Sequence, residues 1–241
     1  MKIICATWEK RNLGVDAMEF EFSPDEDLVK AEKALREAEA DYNVVKIPNL
    51  SVGAYEMMSK LGYSYTESSI GVEHALKEIH LTSIQRRIAE QINYSLMAED
   101  DIEEMFAEIQ KGMFTKDRIA LNRHFGETIA NKRYENWIRD ELEAKNEVYK
   151  MMYKGKNYGF FTYKETNSGI FVSLLGGLYS AFRMSGLGFS GSYFEILEAR
   201  RRNGKKVRTH ISSNNLNSLN LHMSLGYTVY EMSAVFSKTN T

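Results

Sequence analysis

The chain has 241 residues, a length that predicts one large domain or two small ones with enough chain to bury a core. Apolar residues make up 43% of it and charged residues 27%, which excludes a disordered tail or a fibrous protein. The formal net charge is -2, so no overall positive field would hold the chain on nucleic acid or on an anionic membrane. We therefore expect neither nucleic acid nor a membrane as a partner.

Cysteine and apolar patterning predict a cytoplasmic protein. The single cysteine, Cys5, cannot form a disulfide within the chain, and the sequence around it reaches charged residues too soon for a signal peptide. The longest apolar stretch, residues 169–182, is interrupted by serine and glycine and is too short to cross a bilayer. Only two prolines occur, so any junction between domains is expected to be compact.

The first part of the chain is predicted to alternate helix and strand. Ser23 and Pro24, followed by three acids, are typical of a helix N-terminus, and apolar residues at helical spacing continue this helix to about residue 40. Next come a strand at residues 43–47, a helix at 51–61 that ends at Gly62, and a strand at 63–72. We expect a domain boundary near residues 80–91 and assign the domains as 1–85 and 86–241.

The second part begins again with a strand and contains an antiparallel meander. The predicted elements are a strand at 92–97, helices at 98–112 and 128–145, strands at 147–152, 158–163 and 169–179, a helix at 192–202, a strand at 207–211, a helix at 217–225 and strands within 227–236. Turn-forming residues separate the three middle strands, so we expect them to pair as a meander.

The two parts share a faint internal repeat. Three matches occur at one offset of 164 positions: Ile47 with Ile211, Leu61-Gly62-Tyr63 with Leu225-Gly226-Tyr227, and Glu67 with Glu231. At the same offset Asn215 stands where the first copy has Ser51. His222 stands where the first copy has Met58. Either supersecondary structure has been duplicated, or helix, glycine and strand recur because they are common neighbours.

A glycine-rich segment lies between a predicted strand and a predicted helix: Arg183-Met184-Ser185-Gly186-Leu187-Gly188. Glycines let backbone N–H groups approach a ligand, and a helix N-terminus adds unpaired donors and partial positive charge. The pattern R-x-x-G-x-G therefore predicts a pyrophosphate-binding loop, although a tight bend is the alternative. The lysine and hydroxyl of a P-loop are absent.

The meander, this loop and the segment Asn215-x-x-Ser218-x-x-Leu221-His222-x-x-x-Gly226-Tyr227 together resemble the GCN5-related N-acetyltransferase (GNAT) superfamily from about residue 91 to the end. Residues 117–121 and 131–138, with residues 46–48 and 61–67 before them, are similar to dTDP-fucosamine acetyltransferase-like proteins. The resemblance implies an α/β GNAT fold, with a mixed, mainly antiparallel sheet flanked by helices and splayed at the cofactor strand. It also implies that residues 1–85 are a degenerate GNAT-like half on the acceptor side.

The resemblance further implies an enzyme that uses acetyl-CoA as cosubstrate and acetylates a primary amine. The favoured acceptor is the amino group of a nucleotide-linked amino sugar. The residues implied in acetyl-CoA binding are Leu178, Arg183, Met184, Ser185, Gly186, Leu187, Gly188 and Asn215. Two alternatives stay open: a CoA- or nucleotide-binding module without catalysis, and an acetyltransferase for a protein or peptide amine. A homodimer is consistent with the resemblance, and no metal is expected.

His222 departs from the family pattern, which places a tyrosine there to protonate the departing CoA thiolate. Imidazole has an unperturbed pKa of about 6.5 and can donate a proton near neutrality, so the resemblance makes His222 the candidate general acid. The alternative is a histidine that only packs on its helix. The five histidines show no spacing typical of a metal site.

Overall fold

The computed structural model describes residues 1–48, 51–166 and 168–240. The chain divides into two compact units. The first unit contains Met1–Ile70, Ser212–Asn214 and Glu231–Thr241, and the second contains Gly71–Ile211 and Asn215–Tyr230. The observed division therefore follows Ile70, and the end of the chain returns to the first unit. The assignment of residues 1–85 as a degenerate half stays a prediction.

The first unit is built on strands β1 to β4 and the end of β10. Its elements are β1 (Lys2–Cys5), α1 (Trp8–Leu13), β2 (Ala17–Glu21), α2 (Leu28–Arg36), β3 (Tyr42–Pro48), α3 (Val52–Lys60), β4 (Ser64–His74) and β10 (Thr228–Thr239). The strand order is β1-β2-β3-β10-β4. Strands β1 and β2 pair antiparallel, β2 and β3 pair parallel, and β3 and β10 pair antiparallel.

Helix α2 begins later than the sequence predicts. Asp27, rather than Ser23, is its N-cap, and its Oδ1 accepts hydrogen bonds from the amides of Val29 and Lys30 at 3.1 and 3.2 Å. Ser23 instead binds Glu26 through its amide and hydroxyl, which closes a turn before the helix. The apolar face of α2 then packs on β2, β3 and α3 in the core of this unit.

The second unit carries the rest of the chain. Its elements, besides parts of β4 and β10, are α4 (Ser83–Ala89), β5 (Ile92–Leu96), α5 (Glu99–Gln110), α6 (Gly126–Glu143), β6 (Glu147–Tyr153), β7 (Lys156–Glu165), β8 (Ile170–Leu178), α7 (Ser190–Arg201), β9 (Lys206–Ser212) and α8 (Leu216–Ser224). The strand order is β4-β9-β8-β7-β6-β5. Strands β5 to β8 pair antiparallel with their sequence neighbours, which confirms the meander.

Strands β8 and β9 diverge after a short stretch of pairing. They run parallel, and the pairs in the described part of the chain join residues 170–172 to residues 206–208, although β8 continues to Leu178. The register between β7 and β8 shifts just beyond this stretch. Thr162 faces Leu175, whereas the next residue, Tyr163, faces Ser173. Such a bulge bends the strand. The sheet is therefore splayed at β8, as the resemblance implies.

Helices α5 and α6 cover the meander of the second unit. Met105 and Ile109 of α5 and Ile138 of α6 are buried against Phe160 of β7. This layer of apolar side chains fixes the strands that lead to the splay. Within the residues that the structure describes, no helix has the length and apolar character needed to cross a bilayer.

The internal repeat extends over whole elements. Both bounds of β3 and β9, and both bounds of α3 and α8, lie 164 positions apart, and β4 and β10 begin at the same offset. The helix endings also match: Tyr63 N–H binds the Met58 carbonyl at 3.0 Å, and Tyr227 N–H binds the His222 carbonyl at 3.1 Å. When the residues of α2 are shifted by 164 positions, they fall within α7. Equivalent positions of the two copies can therefore be compared residue by residue.

Candidate functional site

The predicted loop at residues 183–188 follows the splayed strand directly. It begins after a single turn of 3-10 helix, Ser180–Phe182, and its last two residues belong to a second such turn, Leu187–Phe189, which leads into α7. Gly186 has a φ of +79°, a conformation that glycine adopts readily and other residues rarely do. Two amides of the loop are engaged locally, since Ser185 N–H binds the Phe182 carbonyl and Leu187 N–H binds Ser185 Oγ. The backbone thus folds into a compact turn at the end of β8.

The loop leaves room for a ligand beside its glycines. A Cβ at Gly188 would meet Leu221 Cδ1 at 3.5 Å, an ordinary contact, and both Gly186 and Gly188 are exposed. Helix α7 begins after the loop, and no side chain of the described chain caps its N-terminus. An uncapped helix N-terminus presents unpaired N–H groups and partial positive charge, which suits an anion. Met184 is 98% exposed, whereas Leu187 is buried in the unit.

Arg183 is exposed, but its guanidinium is bonded to the protein. Its guanidinium donates to the carbonyl oxygens of Lys111 and Gly112, at 3.2 and 3.0 Å, just after the end of α5. Carbonyls at a helix C-terminus lack partners within the helix, so this arginine satisfies them and ties the loop to α5. The arginine of the R-x-x-G-x-G pattern therefore positions the loop.

Leu178 lies at the end of one of the two diverging strands, and Asn215 follows the end of the other. Leu178 ends β8, beyond its pairing with β9, and faces Gly159 of β7. Asn215 is the N-cap of α8, and its Oδ1 accepts a hydrogen bond from the Ser218 amide at 3.4 Å. Its cap function explains why an asparagine occurs there without any ligand.

His222 is buried, with 8% of its surface exposed, and both ring nitrogens have partners in the protein. Its Nδ1 lies 2.8 Å from the Ser218 carbonyl oxygen, and its Nε2 lies 2.9 Å from Ser192 Oγ. A carbonyl can only accept, so Nδ1 carries the proton of the neutral ring and Nε2 accepts from the serine hydroxyl. Burial lowers the pKa of His222 below its usual value of 6.5, because it disfavours the charged ring.

The sequence did not predict Glu195, which lies one turn beyond Ser192 on α7. It is 3% exposed, and its Oε1 accepts a hydrogen bond from Ser173 Oγ of β8 at 2.8 Å. Neither Glu195 Oε2 nor the hydroxyl of Tyr227 has a hydrogen-bond partner among the described residues. Burial raises the pKa of Glu195 to about 8, and burial together with Glu195 raises that of Tyr227 well above 10. The carboxyl is thus neutral at neutral pH.

The first copy of the repeat shows that the fold does not require this polarity. At the equivalent positions Ser192, Glu195 and His222 are replaced by Leu28, Ala31 and Met58. Ala31 and Met58 are fully buried in an apolar core. Burying polar groups costs free energy, so their presence in only one copy indicates a role beyond packing. Extending the 164-residue offset to the preceding helix would have identified Glu195 from the sequence.

Glu195→Gln should change the pH dependence of stability. The folded-state pKa of the carboxyl is raised, so its stabilising contribution is complete below about pH 4.5 and is lost as pH rises to about 8. At about 1.4 kcal/mol per pKa unit, the parent should lose a few kcal/mol over this range that the glutamine variant retains. Urea unfolding at several pH values measures the difference. Parallel stability curves for the two proteins would contradict a buried, neutral Glu195.

Comparison with solved structures assigns the architecture. A conserved protein of unknown function from Staphylococcus epidermidis matches with a TM-score of 0.61 and 14% identity over 94% of this chain and 85% of that one. A GCN5-related N-acetyltransferase from Kribbella flavida matches with a TM-score of 0.57 and 11% identity over 94% of this chain and 82% of that one. The chain has the GNAT fold.

A third similar structure is the GCN5-related glucosamine N-acetyltransferase region of a fungal multidomain GH3 β-N-acetylglucosaminidase. Its TM-score is 0.62 and its identity 13%, and the match covers 87% of this chain but 27% of that much longer one. No protein-family model matches the sequence, and no curated protein matches it either. At these identities the structural likeness establishes the GNAT fold.

Proposed function

We propose that this protein is an acetyl-CoA-dependent N-acetyltransferase that acylates a primary amine. The observation that carries the proposal is the order of features that follow strand β8 in the second unit. Strand β8 separates from β9, and an exposed glycine loop and the uncapped N-terminus of α7 follow it directly. The splay offers space for an extended thioester arm, and the loop offers N–H donors for its pyrophosphate.

Each predicted residue has a role consistent with its position. The loop from Met184 to Gly188 binds the pyrophosphate through amides other than those of Ser185 and Leu187, which are bonded within the loop, and Arg183 holds the loop against α5. The backbone next to Leu178 stabilises the oxyanion that forms when the thioester is attacked. Asn215 contacts the pantetheine arm while its Oδ1 caps α8.

The proposed transfer needs one proton for the leaving thiolate. The neutral amine nitrogen attacks the thioester carbonyl carbon, the carbon–sulfur bond breaks, and the extra proton of the amide nitrogen passes to solvent water. In the protonated ring of His222, Nε2 donates to Ser192 Oγ, so the serine hydroxyl passes its hydrogen to the sulfur and regains one from the histidine. The ring ends neutral, with Nδ1 still bound to the Ser218 carbonyl.

The acceptor that we favour is an amino sugar, in particular one linked to a nucleotide. One structure with the same fold is a glucosamine N-acetyltransferase region, and the sequence resembles dTDP-fucosamine acetyltransferase-like proteins at residues 117–121 and 131–138. The first unit contains the first copy of the repeat, in α2, β3, α3 and the start of β4, and this copy has no R-x-x-G-x-G loop. We therefore assign acetyl-CoA to the second unit alone.

A thiol-release assay tests the proposal. Purified protein is incubated with acetyl-CoA and with amino sugars, nucleotide-linked amino sugars, polyamines or peptides, and free CoA is measured against a sample without protein. We expect the fastest release with an amino sugar. Release with peptides alone would reassign the acceptor to a protein amine, and no release with any amine would refute the enzyme.

The second candidate is a module that binds CoA or a nucleotide without catalysis. One observation favours it: both ring nitrogens of His222 are engaged within the protein, as in a purely structural histidine. Binding of acetyl-CoA without thiol release from any amine in the assay would select this candidate.

A further inference from the structure

The first unit contains a polar cavity that has no part in the proposed transfer. Its volume is about 390 Å³. The residues that line it lie at the ends of α2 and α3, at the start of β3 and at the end of β10: Leu35, Arg36, Ala38, Asn43, Lys60, Leu61, Tyr63, Lys238 and Asn240. This volume is within the range of pockets that bind small molecules. A pocket of this size has room for a small metabolite.

The charged groups that line the cavity are cations. Arg36, Lys60 and Lys238 contribute three positive charges, and no carboxylate is among the described lining residues. Arg36 is paired with Glu32 at 2.7 Å on the same helix. Cations at the ends of α2 and α3 are also expected from the helix dipoles, so they alone would not indicate a ligand. Lys238 lies on a strand, so no helix dipole accounts for its position. Its ammonium is 5.8 Å from the ring centre of Tyr63.

Asn43 supplies an independent indication of a ligand. Its side chain is 1% exposed, and Nδ2 donates to the Ala40 carbonyl at 3.0 Å. Its Oδ1 has no hydrogen-bond partner among the residues described. A buried amide oxygen without a donor costs free energy, which a ligand hydroxyl or ammonium would recover.

The internal repeat again shows that the fold does not require the polar group. The position equivalent to Asn43 is Val207 of β9, which is fully buried. The position equivalent to Lys60 is Ser224. The amide and the ammonium thus occur only in the first copy, where both residues line one cavity.

We propose that this cavity binds a small hydroxylated anion, such as a sugar phosphate or a sugar acid. The anionic group contacts Lys60 and Lys238, and a hydroxyl donates to Asn43 Oδ1. The site is independent of acetyl transfer. Its test therefore does not depend on whether the protein is the proposed enzyme.

Titration followed by two-dimensional NMR tests the site, with glucose 6-phosphate, gluconate, inorganic phosphate and glucose as probes. We expect saturable shifts at Asn43 and Tyr63 with glucose 6-phosphate or gluconate, weaker binding of inorganic phosphate, and none of glucose. Lys238→Gln and Asn43→Val should each weaken binding about tenfold, the effect of one lost hydrogen bond or ion pair. Valine is chosen for Asn43 because Val207 is buried at the equivalent position of the second copy.

Lys33→Gln is the matched control, because Lys33 is exposed on α2 and is not among the lining residues. It should bind like the parent. The absence of saturable binding of any probe up to about 10 mM would overturn the proposal. Equal binding of inorganic phosphate and glucose 6-phosphate would overturn it too, as would parental affinity in a folded Lys238→Gln protein.

Discussion

His222→Met is expected to lower kcat by about two orders of magnitude at neutral pH, with little change in acetyl-CoA affinity. The expected loss is that of one positioned proton donor, since methionine cannot supply a proton to Ser192. Methionine is the substitution of choice because Met58 is fully buried at the equivalent position of the first copy. Steady-state kinetics with the best amine of the thiol-release assay, together with calorimetry, measure both quantities.

The matched control is His210→Met, which makes the same change at an exposed histidine of β9. It should leave kcat unchanged. The parent should lose kcat as pH rises through the lowered pKa of His222, because the protonated ring is the active form. His222→Tyr should restore part of the rate and move this loss to higher pH, since phenol titrates near 10. A folded His222→Met protein with parental kcat at every pH would remove the histidine from the mechanism.

Gly188→Val should weaken acetyl-CoA binding by well over tenfold. The valine side chain would occupy the space where the pyrophosphate must approach the backbone. Gly188 is a cleaner position than Gly186, because its φ is not positive and a Cβ meets only Leu221 at an ordinary distance of 3.5 Å. Gly186 has a φ of +79°, so a valine there would strain the loop as well. Isothermal calorimetry gives the dissociation constant and the stoichiometry.

Gly53→Val is the corresponding control in helix α3 of the first unit. A Cβ at Gly53 would meet only the flexible end of Leu28, at 3.3 Å, and the site has no part in the proposed binding. This variant should bind acetyl-CoA like the parent, with one molecule per chain. Parental affinity in Gly188→Val would show that the loop does not hold the pyrophosphate, and two molecules per chain would contradict a single site in the second unit.

The sequence predicts most of the elements between residues 23 and 239, because apolar spacing and glycine endings are local signals. Gly62 and Gly226 both end helices with positive φ, at 77° and 94°. The first two strands of the chain, the helix between them and helix α4 were not predicted. Helix α4 has no buried residue, so it lacks the apolar stripe on which such predictions depend.

The candidate site is predicted less completely, since partners distant in sequence decide what each side chain does. The pattern R-x-x-G-x-G locates the loop but cannot show that Arg183 binds the carbonyls after α5, 72 and 71 positions earlier. In the same way, Ser192 is paired with His222 from 30 positions away. The comparison of the two copies is the sequence signal that comes closest to these contacts, since it separates residues that the fold needs from residues that it does not.

Transfer of a labelled acetyl group is the most direct test of the proposed enzyme. Acetyl-CoA carrying a ¹³C-labelled carbonyl is incubated with the protein and an amino sugar, and the carbonyl resonance is followed by NMR. We predict that the thioester signal is replaced by an amide signal as free CoA forms in equal amount, and that Gly188→Val slows this conversion at limiting acetyl-CoA. A thioester signal that stays unchanged in the presence of parent protein and every amine of the assay would contradict the account.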